Sequence, residues 1–255
     1  MKRIVIKVGS VLLVDEKTAS GLDETFIGRL VGQIGQLHAM GHEIILVTSG
    51  AVAAGKTKDK NYPVGRASMV GQIKLISTYA RFFNQLHPPI RVGQALYTYH
   101  DLEKGDDKRT RERLLDGFRF REITIVNAND AVADEELEAM KELGDNDRLA
   151  AKIATLINAD LMVLLTSVDG LYKNYGQEDQ ELIREVDSSC DEIMGLAKKS
   201  DSSLSKGGME SKLKSAAIAT EAGVEVIIAN GRKVDVSTCV AKKDFIGTFF
   251  PPKVD

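Results

Sequence analysis

Nearly continuous apolar, β-branched runs recur along this chain, and they limit its fold more than any other feature. "RIVIKVG" (Arg3 to Gly9), "HEIILVTSG" (His42 to Gly50), "ITIVN" (Ile123 to Asn127), "LMVLLTS" (Leu161 to Ser167) and "VEVIIANG" (Val224 to Gly231) all read this way. Strands that are apolar on both faces belong in a parallel sheet covered on both sides. Between them lie patterns of helical period. "DETFIGRLVGQIGQLHAMG" closes on Gly41, which suits a C-terminal cap. "NDRLAAKIATLINAD" and "GMESKLKSAAIATEAG" are two more, the second closing on Gly223. Strand and helix in alternation predict an α/β fold with a mostly parallel sheet. The apolar pattern ends near Phe250. With five prolines and no Pro/Ser-rich linker, the 255 residues read as one domain.

Composition excludes several classes. The net charge of −3 gives no basic excess for nucleic acid. The mixed run from Asp101 to Glu122 reads as a solvated helix or loop face. Two cysteines, Cys190 and Cys239, make neither a disulfide framework nor a metal-ligand spacing, so a reducing cytosol is expected. The basic-then-apolar start is interrupted by Lys7 and followed by Asp15 and Glu16. A first strand fits better there than a signal peptide. No apolar run approaches the roughly 20 residues that span a bilayer.

Ligands of open α/β sheets bind at the carboxyl ends of the strands. The first strand ends in Lys7, Val8, Gly9 and Ser10. A lysine inside an apolar run is costly unless it pairs with an anion. Lys7 is either an edge residue whose side chain snorkels or a cation aimed at phosphate. The second strand ends in "TSGAVAAG", with Ser49, Gly50, Ala51 and Gly55. Small residues there serve either ligand contact through backbone N–H groups or tight helix–sheet packing. It is neither a phosphate loop nor a nucleophile elbow. "NANDAVA" brings Asn127, Asn129 and Asp130, and "GDND" brings Asp145, Asn146 and Asp147. Asp and Asn cap helices, but one residue would serve for that. So many amides and carboxylates can also hold an amino acid by its charged ends. Thr166, Ser167 and Asp169 follow a later strand. Lys206, Gly207 and Gly208 then precede a helix bearing Met209, Glu210, Ser211 and Lys212, a pattern suited to phosphate.

"IKVGS", "VTSGAVAAG", "ASMVGQ", "IVNANDAVA", "LGDNDRLAA", "LLTSVDGLY" and "GGMESKLKSA" occur here in order. Together they resemble the amino acid kinase family, and within it the members that phosphorylate the side-chain carboxylate of glutamate. The resemblance implies a three-layer α/β/α sandwich. Its amino-terminal part would bind L-glutamate, and its carboxyl-terminal part ATP with Mg2+. It implies that Lys7 and Lys212 contact the transferring phosphoryl group and that Asp147 holds them. Ser49, Gly50, Ala51, Asp130, Asp145 and Asn146 would line the acceptor. Lys7, Gly9, Ser10, Thr166, Ser167 and the stretch Lys206, Gly207, Gly208, Met209, Glu210, Ser211 and Lys212 would line the nucleotide. No metal ligand from protein side chains is implied; magnesium would arrive on ATP. A cytoplasmic homodimer or homotetramer, feedback inhibition by proline, and no carboxyl-terminal PUA domain complete the expectation. Ser167 stands where the family often has Asp, and "SKGGM" replaces Gly-Thr-Gly-Gly-Met. A sister kinase with another acceptor, a non-catalytic amino-acid sensor and an RNA-binding regulator are the competing readings.

Overall fold

The computed structural model describes residues 1–15, 17–18, 20–59, 61–98, 101, 107–132, 146–186 and 208–253. Its strands are β1 (Arg3–Val8), β2 (Glu43–Val47), β3 (Val92–Tyr97), β4 (Ile123–Ala128), β5 (Leu161–Thr166), β6 (Tyr172–Lys173), β7 (Glu181–Leu182), β8 (Glu225–Asn230) and β9 (Gly247–Phe250). Its helices are α1 (Ser10–Leu13), α2 (Glu24–Ala39), α3 (Ala51–Gly55), α4 (Val64–Asn84), α5 (Asp107–Arg119), α6 (Asn146–Leu156), α7 (Gly208–Glu221) and α8 (Val236–Ala241). Among the described residues the main sheet has seven strands in the order β3-β4-β2-β1-β5-β8-β9. All neighbours pair in parallel except β9, which runs antiparallel to β8. β6 and β7 form a separate antiparallel pair.

β1 lies at the centre because it is apolar on both faces. Ile4, Ile6 and Val8 face a layer built by α2, α4 and α8, through residues such as Ile27, Ile34, Tyr79, Phe83 and Val236. Val5 faces the opposite layer, where Leu114 of α5, Ile153 of α6 and Ala216 of α7 pack. Strand side chains alternate between faces. Lys7 therefore falls on the side of Val5, toward α6 and α7. The sheet grows toward β2 on one side of β1 and toward β5 on the other. The strand order thus reverses beside β1, and a crevice forms at its carboxyl end.

The helices follow from local chemistry. α2 is capped by the Asp23 carboxylate, which accepts from Phe26 N–H at 2.9 Å. It stops where Gly41 takes φ +87°, a left-handed conformation that favours glycine. α3 and α4 touch backbone to backbone. A Cβ on Gly55 would lie 1.8 Å from the Ala67 carbonyl oxygen, and one on Gly71 would lie 1.8 Å from that of Ala51. The small residues of "TSGAVAAG" thus serve helix packing at Gly55. They serve backbone geometry at Gly50, which takes φ +92°.

The five apolar runs are all strands, and the mixed run contains α5, whose Leu114 is buried. β3 and α4 are not announced by the sequence. β3, "VGQALY", is a half-exposed edge strand with no apolar run to mark it. Cys239 is buried, and burial pushes its thiol up to about 12. Cys190 lies outside the described residues. Among the described residues no helix is long and apolar enough to cross a membrane.

The two kinds of glycine contact make a paired prediction. Gly71→Ala should cost about 2–3 kcal/mol, because the new methyl group meets fixed backbone. Gly32→Ala, in an α2 position with nothing within 4 Å, should add about 0.5–1 kcal/mol. Urea denaturation of both variants checks the contrast.

Candidate active site

Three charged side chains meet under the carboxyl end of β1. The Asp147 carboxylate, wholly buried in the first turn of α6, pairs through Oδ1 with the Lys7 ammonium. Its Oδ2 accepts from Lys212 Nζ of α7 at 2.9 Å. Lys7 is 3% exposed and Lys212 8%. Lys212 Nζ also donates to the Gly208 carbonyl oxygen at 2.9 Å. An ammonium carries three N–H donors, so one more remains on Lys212. Each oxygen of the Asp147 carboxylate thus meets one lysine. A carboxylate and two ammonium groups are costly to bury one by one, and their contacts offset that cost.

One residue before Asp147, the Asn146 amide nitrogen donates to Ser49 Oγ at 2.9 Å. Its Oδ1 is buried without a hydrogen-bond partner among the described residues. Ser49 is buried at the turn after β2, and Gly50 and Ala51 continue from it into α3. The neighbouring strand end supplies Asn127. Its Oδ1 accepts from Ala128 N–H at 2.9 Å, and its amide nitrogen donates to Gln72 Oε1 at 2.8 Å. Among the described residues, Gln72 Nε2 is buried and, like Asn146 Oδ1, has no hydrogen-bond partner. Asp130 lies in the turn after β4, its carbonyl oxygen 4.0 Å from where a Gly65 Cβ would sit.

On the other flank, Gly9 N–H donates to the Leu165 carbonyl oxygen at 3.0 Å. Gly9 has φ −70° and ψ 145°, ordinary extended backbone, and a Cβ there would meet only that oxygen at 3.5 Å. Nothing among the described residues demands a glycine at this position. Ser10 is exposed beside it, Thr166 is buried at the end of β5, and Ser167 is exposed. Asn230 donates to the Ser167 carbonyl oxygen at 3.0 Å and to Asp169 Oδ1 at 2.9 Å. Lys233 donates to Asp169 Oδ2 at 2.8 Å. These bonds fix the turn after β5. Burial pushes the Asp169 carboxyl up, but hydrogen bonds from Lys233, Asn230 and Tyr172 outweigh it and hold the group below its ordinary value.

The structure therefore brings Lys7, Asp147 and Lys212 together, and separately Ser49 and Asn146. Gly208 joins the first group through its carbonyl. Met209 packs against the core, and Glu210 pairs with Lys214 at 2.9 Å. Ser211 lies between them and Lys212 on α7. Asp145, Lys206 and Gly207 lie outside the described residues. Gln72 closes the "ASMVGQ" motif, but its contact with Asn127 is not foreseen from sequence, since only the course of α4 brings the two together. Among the described residues no group of three or more His, Cys, Asp or Glu could hold a metal ion.

A mostly parallel sheet thus carries two buried ammonium groups, bridged by one carboxylate, at the end of its central strand, with Ser49, Asn127 and Asn146 at the neighbouring strand ends. The chain belongs to the amino acid kinase family, whose model matches residues 2–230. It is 39% identical over 245 residues to glutamate 5-kinase from Rhodopseudomonas palustris strain HaA2, covering 91% of this chain and 62% of that protein. It is 37% identical to glutamate 5-kinase from Bartonella henselae (98% and 66%). It is 38% identical to that from Dehalococcoides mccartyi strain ATCC BAA-2266 (99% and 69%). The chain thus spans roughly two thirds of the length of these curated relatives. Carbamate kinase from Giardia lamblia bound to AMP-PNP superposes with a TM-score of 0.68 at 18% identity, over 99% of both chains. UMP kinase from Ureaplasma parvum does so at 0.65 and 15%, over 98% of both. These likenesses show the shared fold.

Two outcomes follow from the charges. Asp147→Asn removes the bridge between two buried ammonium groups and should cost about 3–5 kcal/mol in urea denaturation at neutral pH. Asp169 is depressed in the folded state, so its stabilisation is complete above an ordinary carboxyl pKa of about 3.9 and fades as pH falls below it. Asp169→Asn should therefore flatten the acid limb of the stability curve below about pH 4 and leave its shape unchanged between about pH 6 and 8.

Proposed function

We propose that this chain transfers the γ-phosphoryl group of ATP to the side-chain carboxylate of L-glutamate. The products are L-glutamyl 5-phosphate and ADP, the first step of proline biosynthesis. The observation that carries this reading is the adjacency of Asn146 and Asp147. One helix turn holds an amide for the acceptor and a carboxylate for the two lysines. The similarity to glutamate 5-kinases over nearly the whole chain supports the choice of acceptor.

The chemistry suits these residues. A glutamate side chain has a pKa of about 4.3 and is already an anion at neutral pH. It needs no base, and the site's motifs hold no histidine that would serve as one. A carboxylate oxygen attacks the γ-phosphorus, the bond to the β-phosphate bridge breaks, and ADP leaves with the electron pair. The obstacle is repulsion between anions, worth roughly 4 kcal/mol at about 4 Å and an effective dielectric near 20. Lys7 and Lys212 would donate to phosphoryl oxygens and offset it, and positioning supplies much of the rest. Asp147 keeps the ammonium groups at a fixed separation. Ser49, Gly50, Ala51, Asp130 and Asn146 would hold the amino acid. Gly9, Ser10, Thr166, Ser167 and the first turn of α7 would hold the nucleotide. Gly9 would allow phosphate to approach the backbone closely. Asp147 is committed to lysines, so a magnesium ion would be carried by the triphosphate, where it neutralises phosphate charge. The amino-terminal half of the sheet then serves the acceptor and the carboxyl-terminal half the nucleotide. We place the protein in the cytoplasm as a homodimer or homotetramer, with proline as its feedback inhibitor.

The deciding experiment measures ADP release from Mg-ATP with glutamate, aspartate, N-acetylglutamate or UMP, with hydroxylamine trapping any acyl phosphate. Glutamate alone should give ADP and a hydroxamate. Activity with a different acceptor only, or with none, overturns the proposal. Lys7→Ala and Lys212→Ala should each lower kcat about 100-fold or more, with glutamate binding within a few-fold of the original. Weakened glutamate binding at unchanged kcat would contradict their assignment.

A further inference from the structure

We infer that Gln72 determines acceptor specificity by donating a hydrogen bond from Nε2 to the α-carboxylate of the bound amino acid. This rests on the glutamate reading given above. The inference starts from an orphaned donor. Asn127 Oδ1 accepts from Ala128 N–H, which settles which end of that amide is oxygen. Its Nδ2 must then meet an acceptor, so the Gln72 atom 2.8 Å away is Oε1. That leaves Gln72 Nε2 as a buried donor with no partner among the described residues. Such a group costs free energy unless something fills it, so each one calls for an explanation.

Its surroundings say what would fill it. Asn127 stands at the end of β4, beside the β2 end that leads to Ser49; Thr48 N–H donates to the Val126 carbonyl oxygen at 2.8 Å. Gly71, next to Gln72, is pressed against the carbonyl of Ala51. Residues seven apart on a helix share a face, and three such residues of α4 reach these strand ends. Gly65 lies by Asp130, Gln72 meets Asn127, and the Tyr79 hydroxyl accepts from Thr48 Oγ1 at 3.2 Å. Gln72 thus reaches the strand ends beside Ser49 from the α4 layer. Lys7, Asp147 and Lys212 enter from the α6–α7 layer on the other side of the sheet. The reacting carboxylate must face the lysines. The end of the amino acid that reaches α4 is therefore the α-carbon end. Its ammonium needs acceptors, which Asn146 Oδ1 and Asp130 offer. Its carboxylate needs a donor, which Gln72 Nε2 offers.

The test compares Gln72→Glu and Gln72→Met with the unchanged enzyme. Gln72→Glu keeps an acceptor for Asn127 and replaces the donor with an anion. Gln72→Met has no donor at any pH. Each should raise KM for glutamate about 100-fold, with kcat and KM for ATP changed less than about three-fold. The preference for glutamate over its α-amide, which keeps the side-chain carboxylate, should fall at least about ten-fold in Gln72→Met. An unchanged KM for glutamate, or an unchanged preference, overturns the inference while leaving the glutamate reading intact. A parallel loss of kcat and of both KM values means that Gln72 only supports Asn127, and also overturns it. An original enzyme inactive on glutamate overturns the glutamate reading, and this inference with it.

Discussion

One carboxylate ties the two halves of this protein together. Asp147 takes a lysine from the central strand β1 and another from α7, more than 200 residues apart in sequence. Neither lysine could sit so deep in an apolar setting without an anionic neighbour. The position of α6 is therefore set by charge at its first turn as well as by the apolar contacts of Leu149, Ala150 and Ile153 below it. Everything proposed about phosphoryl transfer depends on that turn staying where it is.

The rest of the site is layered around the same point. The sheet separates two teams of helices, and its carboxyl edge is where they meet. From one side α6 and α7 bring charge. From the other, α3 and α4 bring amides, hydroxyls and bare backbone. The contact between α3 and α4 is close enough that two glycines, Gly55 and Gly71, each occupy space a methyl group could not. That contact holds α4 across the ends of β2 and β4 and so sets where Gln72 reaches.

Much of this was legible in the sequence, for reasons that differ by element. β1, β2, β4, β5 and β8 are buried on both faces, so their apolar runs are unbroken and unmistakable. α2, α6 and α7 carry helical period and, at Gly41 and Gly223, a glycine stop. Lys7 stood out because a charge inside such a run needs a reason. Asn146 and Asp147 stood out because one capping residue would have been enough. α4 stayed hidden although it is the longest described helix. Its inward face is built of Gly71, Gln72, Thr78 and Tyr79 as much as of leucine, because it packs on backbone and polar strand ends. β3 stayed hidden because an edge strand need not be apolar on both faces. Gly55 was open to a ligand reading or a packing reading; packing is what the neighbouring atoms require.

The adjacency of Asn146 and Asp147 has a mechanical consequence. Consecutive Cα atoms are about 3.8 Å apart whatever the rest of the chain does. On the proposed function, the spacing between the acceptor's anchor at Asn146 and the lysines' anchor at Asp147 is thus a covalent ruler, independent of loop lengths and helix tilt. A sliding or rotating α6 would carry both anchors together and could not open a gap between them. On that same reading, a relative that takes a longer or shorter acceptor would have to change the side at α3 and α4, because the two anchors on α6 are one peptide unit apart.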